Sequence, residues 1–227
     1  MKKKKLIVSC ALDIGSLDGT AEYLAGVKAA CQHRVEIIRT PADLGIREAC
    51  KDAIAAARGD YLVLLNNDTV VTEGWLNSLI NLANLSPTFG MVGPMSNYAA
   101  PPQLVEAVPY RMKLKQGKTP RRFGVSDRLL ETDAMRSFAA EHREKNKGKW
   151  LEADRLGGFC VLLKREALNR IGLVNLEKWT DMSLFDTDIL GTKVRQAGFT
   201  LACCRDLFVH HFGTRVFSHG ATKIEVS

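Results

Sequence analysis

The sequence has no apolar run that approaches the roughly 20 residues a helix needs to cross a bilayer. Lys2 to Lys5 precede the first apolar stretch, but Asp13 ends that stretch early, which argues against a secretory signal peptide. From these two absences we expect residence in the cytoplasm, with peripheral attachment to a membrane as the alternative.

The sequence also lacks the paired cysteines of metal ribbons and redox motifs. None of its six cysteines belongs to a Cys-x-x-Cys pair, and most of them have apolar neighbours. We therefore expect reduced thiols that pack as small core residues. No internal repeat and no low-complexity segment is present.

A net charge of +7 is concentrated at Lys2 to Lys5 and between Arg111 and Lys149. The basic runs lack the interleaved aromatic side chains on which bases stack, so no nucleic-acid partner is expected. Anionic lipid, a phosphorylated substrate or a solvated basic surface remain as explanations of the charge.

The chain of 227 residues, 46% of them hydrophobic, is long enough for one domain with a substantial core. Apolar runs and helical patterns alternate up to Pro94. Strands are predicted at Leu6–Cys10, Val35–Ile38, Tyr61–Leu65 and Met91–Gly93, and helices at Ala21–Cys31, Arg47–Arg58 and Gly74–Asn84. Such alternation predicts an α/β fold with a largely parallel sheet flanked by helices.

The alternation stops after Pro94. Residues 95–155 form an irregular insertion that is rich in proline and basic residues, with a charged helix predicted over Asp127–Lys147. Regular structure returns with a strand near 156–163, and helices are predicted at Arg165–Ile171 and Thr187–Ala197, the latter ended by Gly198.

The apolar strand at Tyr61–Leu65 runs directly into Asn66, Asn67 and Asp68. Ligands of open α/β sheets bind just beyond the carboxyl ends of strands, so a carboxylate there can hold a divalent cation and its phosphates. The alternative is an ordinary turn, because Asn and Asp favour turns.

Four blocks of sequence resemble, in order, the inverting family 2 glycosyltransferases of GT-A fold. They are Asp13–Thr20, Leu64–Thr69, Gly157–Cys160 and Phe185–Gly213. The resemblance implies one Rossmann-like domain over 1–227, with a nucleotide-binding part at 1–94, the basic insertion at 95–155 and an acceptor or catalytic part at 156–227.

The resemblance also implies roles for individual residues. The residues matched to nucleotide binding are Asp13, Ser16, Asp18, Asp43 and Asn67. Those matched to a site for Mn²⁺ or Mg²⁺ are Asp68, His210 and His211. One carboxylate of this chain suffices for such a site, because hard cations complete their coordination with phosphates and waters.

Asp186 and Asp188 match the acidic pair from which the family takes its catalytic base, although Thr187 stands where the usual Asp would be. No spacing argument selects between the two acids. Their alternative role is at the start of a helix, where the backbone dipole favours acids.

The expected function is metal-dependent transfer of a sugar, with inversion, from a nucleoside diphosphate sugar to a glycan, lipid-linked or protein acceptor. Relatives usually begin with a further strand and helix before the segment matched by Leu6 to Thr20. We therefore expect an exposed sheet edge and self-association through it. A truncated or non-catalytic relative that acts as a binding module is the alternative function, and an unrelated nucleotidyltransferase is a third.

Overall fold

The computed structural model describes residues 8–41, 52–116, 128–172 and 187–213. Up to residue 95 it contains β1 (Val8–Ile14), α1 (Thr20–Ala30), β2 (Arg34–Thr40), a short helix at 52–56, β3 (Tyr61–Leu65), β4 (Thr69–Val70), α2 (Trp75–Leu85) and β5 (Phe89–Met95). These elements follow the predicted alternation of strand and helix.

The remaining elements begin with a hairpin inside the insertion. They are β6 (Lys113–Gln116), β7 (Arg128–Glu131), α3 (Asp133–Asn146), β8 (Trp150–Ala153), β9 (Cys160–Lys164), α4 (Arg165–Arg170), α5 (Thr187–Gln196), β10 (Thr200–Phe208) and β11 (His210–His211). None of the described helices has both the length and the apolar character that crossing a membrane demands.

The main sheet has five strands in the order β3-β9-β5-β10-β8. β5 and β10 are parallel, whereas β9 is antiparallel to both of its neighbours and β8 is antiparallel to β10. The sheet is thus mixed where the sequence predicts a largely parallel one. β3 and β5 do run in the same direction, as a β3-α2-β5 crossover requires, but β9 enters between them after the insertion.

Helices cover both faces of this sheet, and the side chains of each strand alternate between them. Met91 of β5 packs into a cluster that also contains Met135, Leu168 and Leu190 from α3, α4 and α5. Its neighbour Val92 packs into a second cluster with Leu79, Leu82 and Ala83 from α2. Full burial of one such side chain stabilises the fold by about 1.5–3 kcal/mol, so these two layers hold the sheet in place.

The β1-α1-β2 unit forms a separate, two-stranded parallel sheet. No residue of α1 is buried, and among the described strands none of the main sheet pairs with β1 or β2. At the edge of the main sheet, β3 pairs with β9 on one side and with no other described strand. Within the described part of the chain β3 is therefore an edge strand, while the predicted self-association through an exposed edge stays a prediction.

The insertion differs in detail from the sequence prediction. Its charged helix begins at Asp133, because Arg128–Glu131 pairs with Lys113–Gln116 as an antiparallel hairpin. Tertiary pairing outweighs helix propensity over these four residues. The remainder of the predicted helix, to Asn146, is helical as expected.

Three of the cysteines behave as the sequence predicts. Cys160, Cys203 and Cys204 are free and buried, and burial raises the pKa of the Cys160 and Cys203 thiols to about 12. These thiols are protonated at neutral pH and pack as apolar side chains. Cys31 is free and exposed.

Candidate active site

Asp68 and His211 are brought together by a short ladder between β4 and β11. After β3, the chain turns through Asn66 and Asn67 to Asp68, and the Thr69 hydroxyl closes this turn by donating to the Asn66 carbonyl at 2.7 Å. β4 then pairs antiparallel with β11, His211 opposite Thr69. The Phe212 amide donates to the Asp68 carbonyl at 3.0 Å, so a backbone hydrogen bond fixes the spacing of the two segments.

The side chains of Asp68 and His211 meet at this point. Nε2 of His211 lies 3.3 Å from Oδ1 of Asp68, and the two side chains are only 13% and 15% exposed. Oδ1 is buried and has no hydrogen-bond partner in the described part of the chain. A buried carboxylate oxygen without a hydrogen bond is costly, so a positive charge at this point would stabilise it.

The proton on His211 can be placed from its other ring nitrogen. Nδ1 lies 2.9 Å from the Tyr98 carbonyl oxygen, which can only accept, so Nδ1 carries a proton. In the neutral imidazole, Nε2 then presents a lone pair to the Asp68 carboxylate. A carboxylate oxygen and an imidazole nitrogen that face each other in this way form a donor set suited to Mn²⁺.

The described residues contain no group of three or more His, Cys, Asp or Glu side chains that could hold a metal. A cation at Asp68 and His211 would thus have two ligands from the described chain. Waters and oxygen atoms of a bound ligand would complete the coordination, as is usual for a hard cation that has few protein ligands.

His210 lies on the other face of β11 and does not reach Asp68. Its Nδ1 is 2.8 Å from the Tyr110 hydroxyl, and the residue is buried beside Phe212. Burial lowers the pKa of His210 to about 4. The structure thus brings only His211 of the predicted pair to the carboxylate.

Asp13 lies at the carboxyl end of β1, where the sequence places a nucleotide contact. Its buried carboxylate accepts a hydrogen bond from the Ser16 amide at 3.0 Å and lies 3.3 Å from Nε of Arg39. Hydrogen bonds from Ser16, and then the charge of Arg39, hold the pKa of Asp13 below its usual range. Oδ2 of Asp13 and the hydroxyl of Thr40 are buried without hydrogen-bond partners among the described residues.

The other predicted nucleotide residues are less enclosed. The Asp18 carboxylate accepts hydrogen bonds from the amide and hydroxyl of Thr20 at 3.2 and 2.6 Å, which lower the pKa of Asp18. Asn67 is exposed in the turn before Asp68, and Asp43 lies outside the described residues.

Asp188 lies in the first turn of α5, with 63% of its side chain exposed. Its Oδ2 is 3.9 Å from an Nη atom of Arg155. Asp186 lies outside the described residues. The position of Asp188 suits both a helix-start acid and a base that meets an acceptor from solvent.

Several residues around the site are missed by sequence reasoning. Arg39 and Thr40 directly follow the strand predicted at Val35–Ile38 and end the observed β2 beside Asp13, so the rule that selects residues at strand ends could have found them. Phe159, whose ring stacks on His211 at 5.1 Å, and Tyr98, whose carbonyl fixes the imidazole, have no such local signal. Their contacts exist only once distant segments pack together.

Comparison with known proteins identifies the family. The family model described as Glycosyl transferase family 2 matches residues 9–172. A crystal structure of GalNAc-T7 with UDP, GalNAc and Mn²⁺ superposes with a TM-score of 0.55 and 16% identity, covering 91% of this chain and 37% of that one. No functionally curated protein matches significantly. The chain belongs to glycosyltransferase family 2 and has the GT-A glycosyltransferase fold.

Proposed function

We propose that this chain transfers a sugar, with inversion, from a nucleoside diphosphate sugar to an acceptor hydroxyl in a reaction that depends on a divalent cation. The observation that carries the proposal is the pairing of the buried Oδ1 atom of Asp68 with Nε2 of His211, 3.3 Å apart, just beyond β3. Membership of family 2 supplies the chemical context for that pair.

Asp68 and His211 would hold Mn²⁺ or Mg²⁺ together with the diphosphate of the donor. A cation bound there would supply Lewis acidity that offsets charge on the departing diphosphate. Mn²⁺ and UDP in the GalNAc-T7 structure support this choice of cofactor and donor class. The tautomer set by Tyr98 keeps Nε2 available as a ligand.

Two buried oxygen atoms at the ends of β1 and β2 that form no hydrogen bond among the described residues would receive the nucleoside, and one of them, Oδ2 of Asp13, also lies 3.3 Å from Nε of Arg39. Oδ2 of Asp13 can accept a hydrogen bond from a base N–H or a ribose hydroxyl, and the Thr40 hydroxyl can donate or accept one. Ser16 and Arg39 hold Asp13 ionised for this purpose. Asp18, Asp43 and Asn67 remain proposed contacts around the same ligand.

Asp188, or Asp186 in its place, would act as the base. One carboxylate takes the proton from the acceptor hydroxyl while that oxygen attacks the anomeric carbon opposite the leaving group. The acceptor would be a glycan, a lipid-linked molecule or a protein. We propose a cytoplasmic location, with attachment to a membrane surface through the basic insertion as the alternative.

The proposal can be tested with a panel of uridine and guanosine diphosphate sugars in the presence and absence of Mn²⁺. We expect calorimetry to show Mn²⁺-dependent nucleotide binding that Asp68→Ala abolishes and that Asp60→Ala, at the opposite end of the same strand, preserves. Donor hydrolysis should require Mn²⁺ in the same assays. If the protein showed neither nucleotide binding nor donor hydrolysis for any member of the panel, the proposal would be overturned.

Thr187 favours a second candidate function, in which the protein binds the nucleotide but does not catalyse transfer. Thr187 carries no carboxylate where the family's base is usual. Tight Mn²⁺-dependent binding with no hydrolysis or transfer, for every donor and acceptor class tried, would favour that binding module over the enzyme.

A further inference from the structure

We infer that Asn97 is a positioning residue for the cation site, one that holds the peptide groups of His211 so that Nε2 faces Asp68. The inference rests on the proposed function, because it assumes that Asp68 and His211 bind a cation. Asn97 belongs to the loop after β5 and lies 114 positions from His211 in the chain.

The Asn97 side chain contacts both peptide groups of His211. Its Oδ1 accepts a hydrogen bond from the His211 amide at 2.9 Å, and its Nδ2 donates to the His211 carbonyl at 3.0 Å. This is the pattern that a neighbouring strand would make. A single side chain therefore acts as the second neighbour of β11.

The other side of β11 explains why this contact is needed. In an antiparallel pair the peptide groups of successive residues face alternate sides. The Phe212 amide donates to Asp68 on the β4 side, so the peptide groups of His211 face away from β4 and toward Asn97. β11 has only two residues, and the amide of Asn97 satisfies groups that would otherwise lack partners at a half-buried position.

The residue after Asn97 completes the support of His211. The Tyr98 carbonyl lies 2.9 Å from Nδ1, and the Phe159 ring stacks on the imidazole at 5.1 Å and 17°. Residues 97 and 98 thus fix the backbone and the ring of the same histidine. Two backbone hydrogen bonds anchor this loop, from the Ser96 amide to the Gln103 carbonyl and from the Val105 amide to the Ser96 carbonyl, both at 2.8 Å.

A ligand held in this way needs no reorganisation when the cation binds. Outer residues that orient a metal ligand commonly contribute about 10–100-fold to metal affinity. Removal of the Asn97 amide should release the His211 peptide groups while both proposed ligands remain in the chain. The expected consequence is weaker cation binding by a folded protein.

The test compares Mn²⁺ affinity, measured by electron paramagnetic resonance, in the full chain and in Asn97→Ala. We expect the Kd for Mn²⁺ to rise about tenfold or more in Asn97→Ala. The matched control is Asn146→Ala, because Asn146 is also part-buried and donates to a backbone carbonyl, that of His142, at 2.9 Å. The control should bind Mn²⁺ like the wild type.

The outcomes distinguish failure of the cation site from failure of the role of Asn97. If the wild type does not bind Mn²⁺, the proposed cation site fails and the role of Asn97 fails with it. If the wild type binds and a folded Asn97→Ala binds equally well, only the role of Asn97 is overturned.

If Asn97→Ala does not fold, Asn97→Asp replaces it. This variant keeps an acceptor for the His211 amide but loses the donor to its carbonyl. The added charge alone would tighten Mn²⁺ binding, so weaker binding supports the inference and equal or tighter binding overturns it.

Discussion

His210 and His211 are adjacent in β11 but face opposite sides of it. Nε2 of His211 lies 3.3 Å from Oδ1 of Asp68, whereas Nδ1 of His210 lies 2.8 Å from the Tyr110 hydroxyl. Successive side chains of a strand leave opposite faces, so only one of the two can reach the carboxylate. The pair therefore allows a matched test of the cation site.

His211→Ala should weaken Mn²⁺ binding by about tenfold or more, because a proposed ligand is removed. His210→Ala should leave Mn²⁺ affinity unchanged and lower the free energy of unfolding by about 1–3 kcal/mol, because the part-buried Tyr110 hydroxyl loses its partner. Calorimetric Mn²⁺ titration and urea unfolding of both variants provide the measurements. An equal loss of Mn²⁺ affinity in the two variants would contradict the assignment of His211.

Asp13 should make the free energy of unfolding depend on pH in the acid range. Its folded-state pKa lies below that of an unfolded aspartate, about 3.9. The stabilisation is therefore present at neutral pH and is lost as the pH falls below about 4 and through the folded-state pKa. Asp13→Asn lacks the stabilisation by the ionised carboxylate. The difference in unfolding free energy between wild type and variant should therefore shrink as the pH falls through this acid range.

Urea unfolding at pH 7 and at a series of values below about 4 measures this difference. Ser16 is the larger cause of the lowered pKa and Arg39 the smaller. Arg39→Gln should thus keep most of the pH dependence that Asp13→Asn removes. A difference that stays constant through the acid range would show that the Asp13 pKa is not lowered in the folded protein.

The parts of the fold that the sequence predicts are those with local signals. β3 is a short apolar run between polar residues, and α2 carries its buried residues at helical spacing behind Gly74. The residue at the end of such a strand is then selected by the geometry of α/β sheets, which is how Asp68 is found.

The parts that the sequence does not predict depend on contacts between distant segments. β9 pairs with β3 from almost 100 residues later, and no local pattern says that it enters between β3 and β5. The local sequence predicts only that Asn97 is a loop residue. Its role depends on a contact with His211, which is 114 residues away in the chain. For the same reason, the sequence alone does not tell which of His210 and His211 faces Asp68, because the pairing of β11 with β4 decides it.

Asp188→Asn should separate binding from chemistry. If Asp188 is the base, the variant should bind Mn²⁺ and nucleotide like the wild type and lose turnover by about 10²–10⁴-fold. Asp154→Asn is the matched control, since Asp154 is also an exposed acid paired with an arginine, Arg195, at 3.4 Å. Single-turnover transfer assays should show no change in the control. Full activity in Asp188→Asn would move the role to Asp186.

The open edge of β3 should make the 227-residue chain self-associate. The strand consists of Tyr61 to Leu65, and no described strand pairs with it on the side opposite β9. Unpaired edges of apolar strands recruit other strands, and a lysine on such a strand opposes that pairing. We expect light scattering to show a mass that rises with protein concentration, and Leu65→Lys to suppress the rise.

The control for this effect is Leu85→Lys at the end of α2. Leu85 is 64% exposed and Leu65 is 43% exposed, so each substitution replaces an exposed leucine by lysine and changes the net charge equally. Only Leu65 belongs to a sheet edge, so only its variant should become monomeric. If both variants reduce association equally, general charge repulsion explains the reduction. A wild type that stays monomeric at high concentration would show that β3 recruits no second chain.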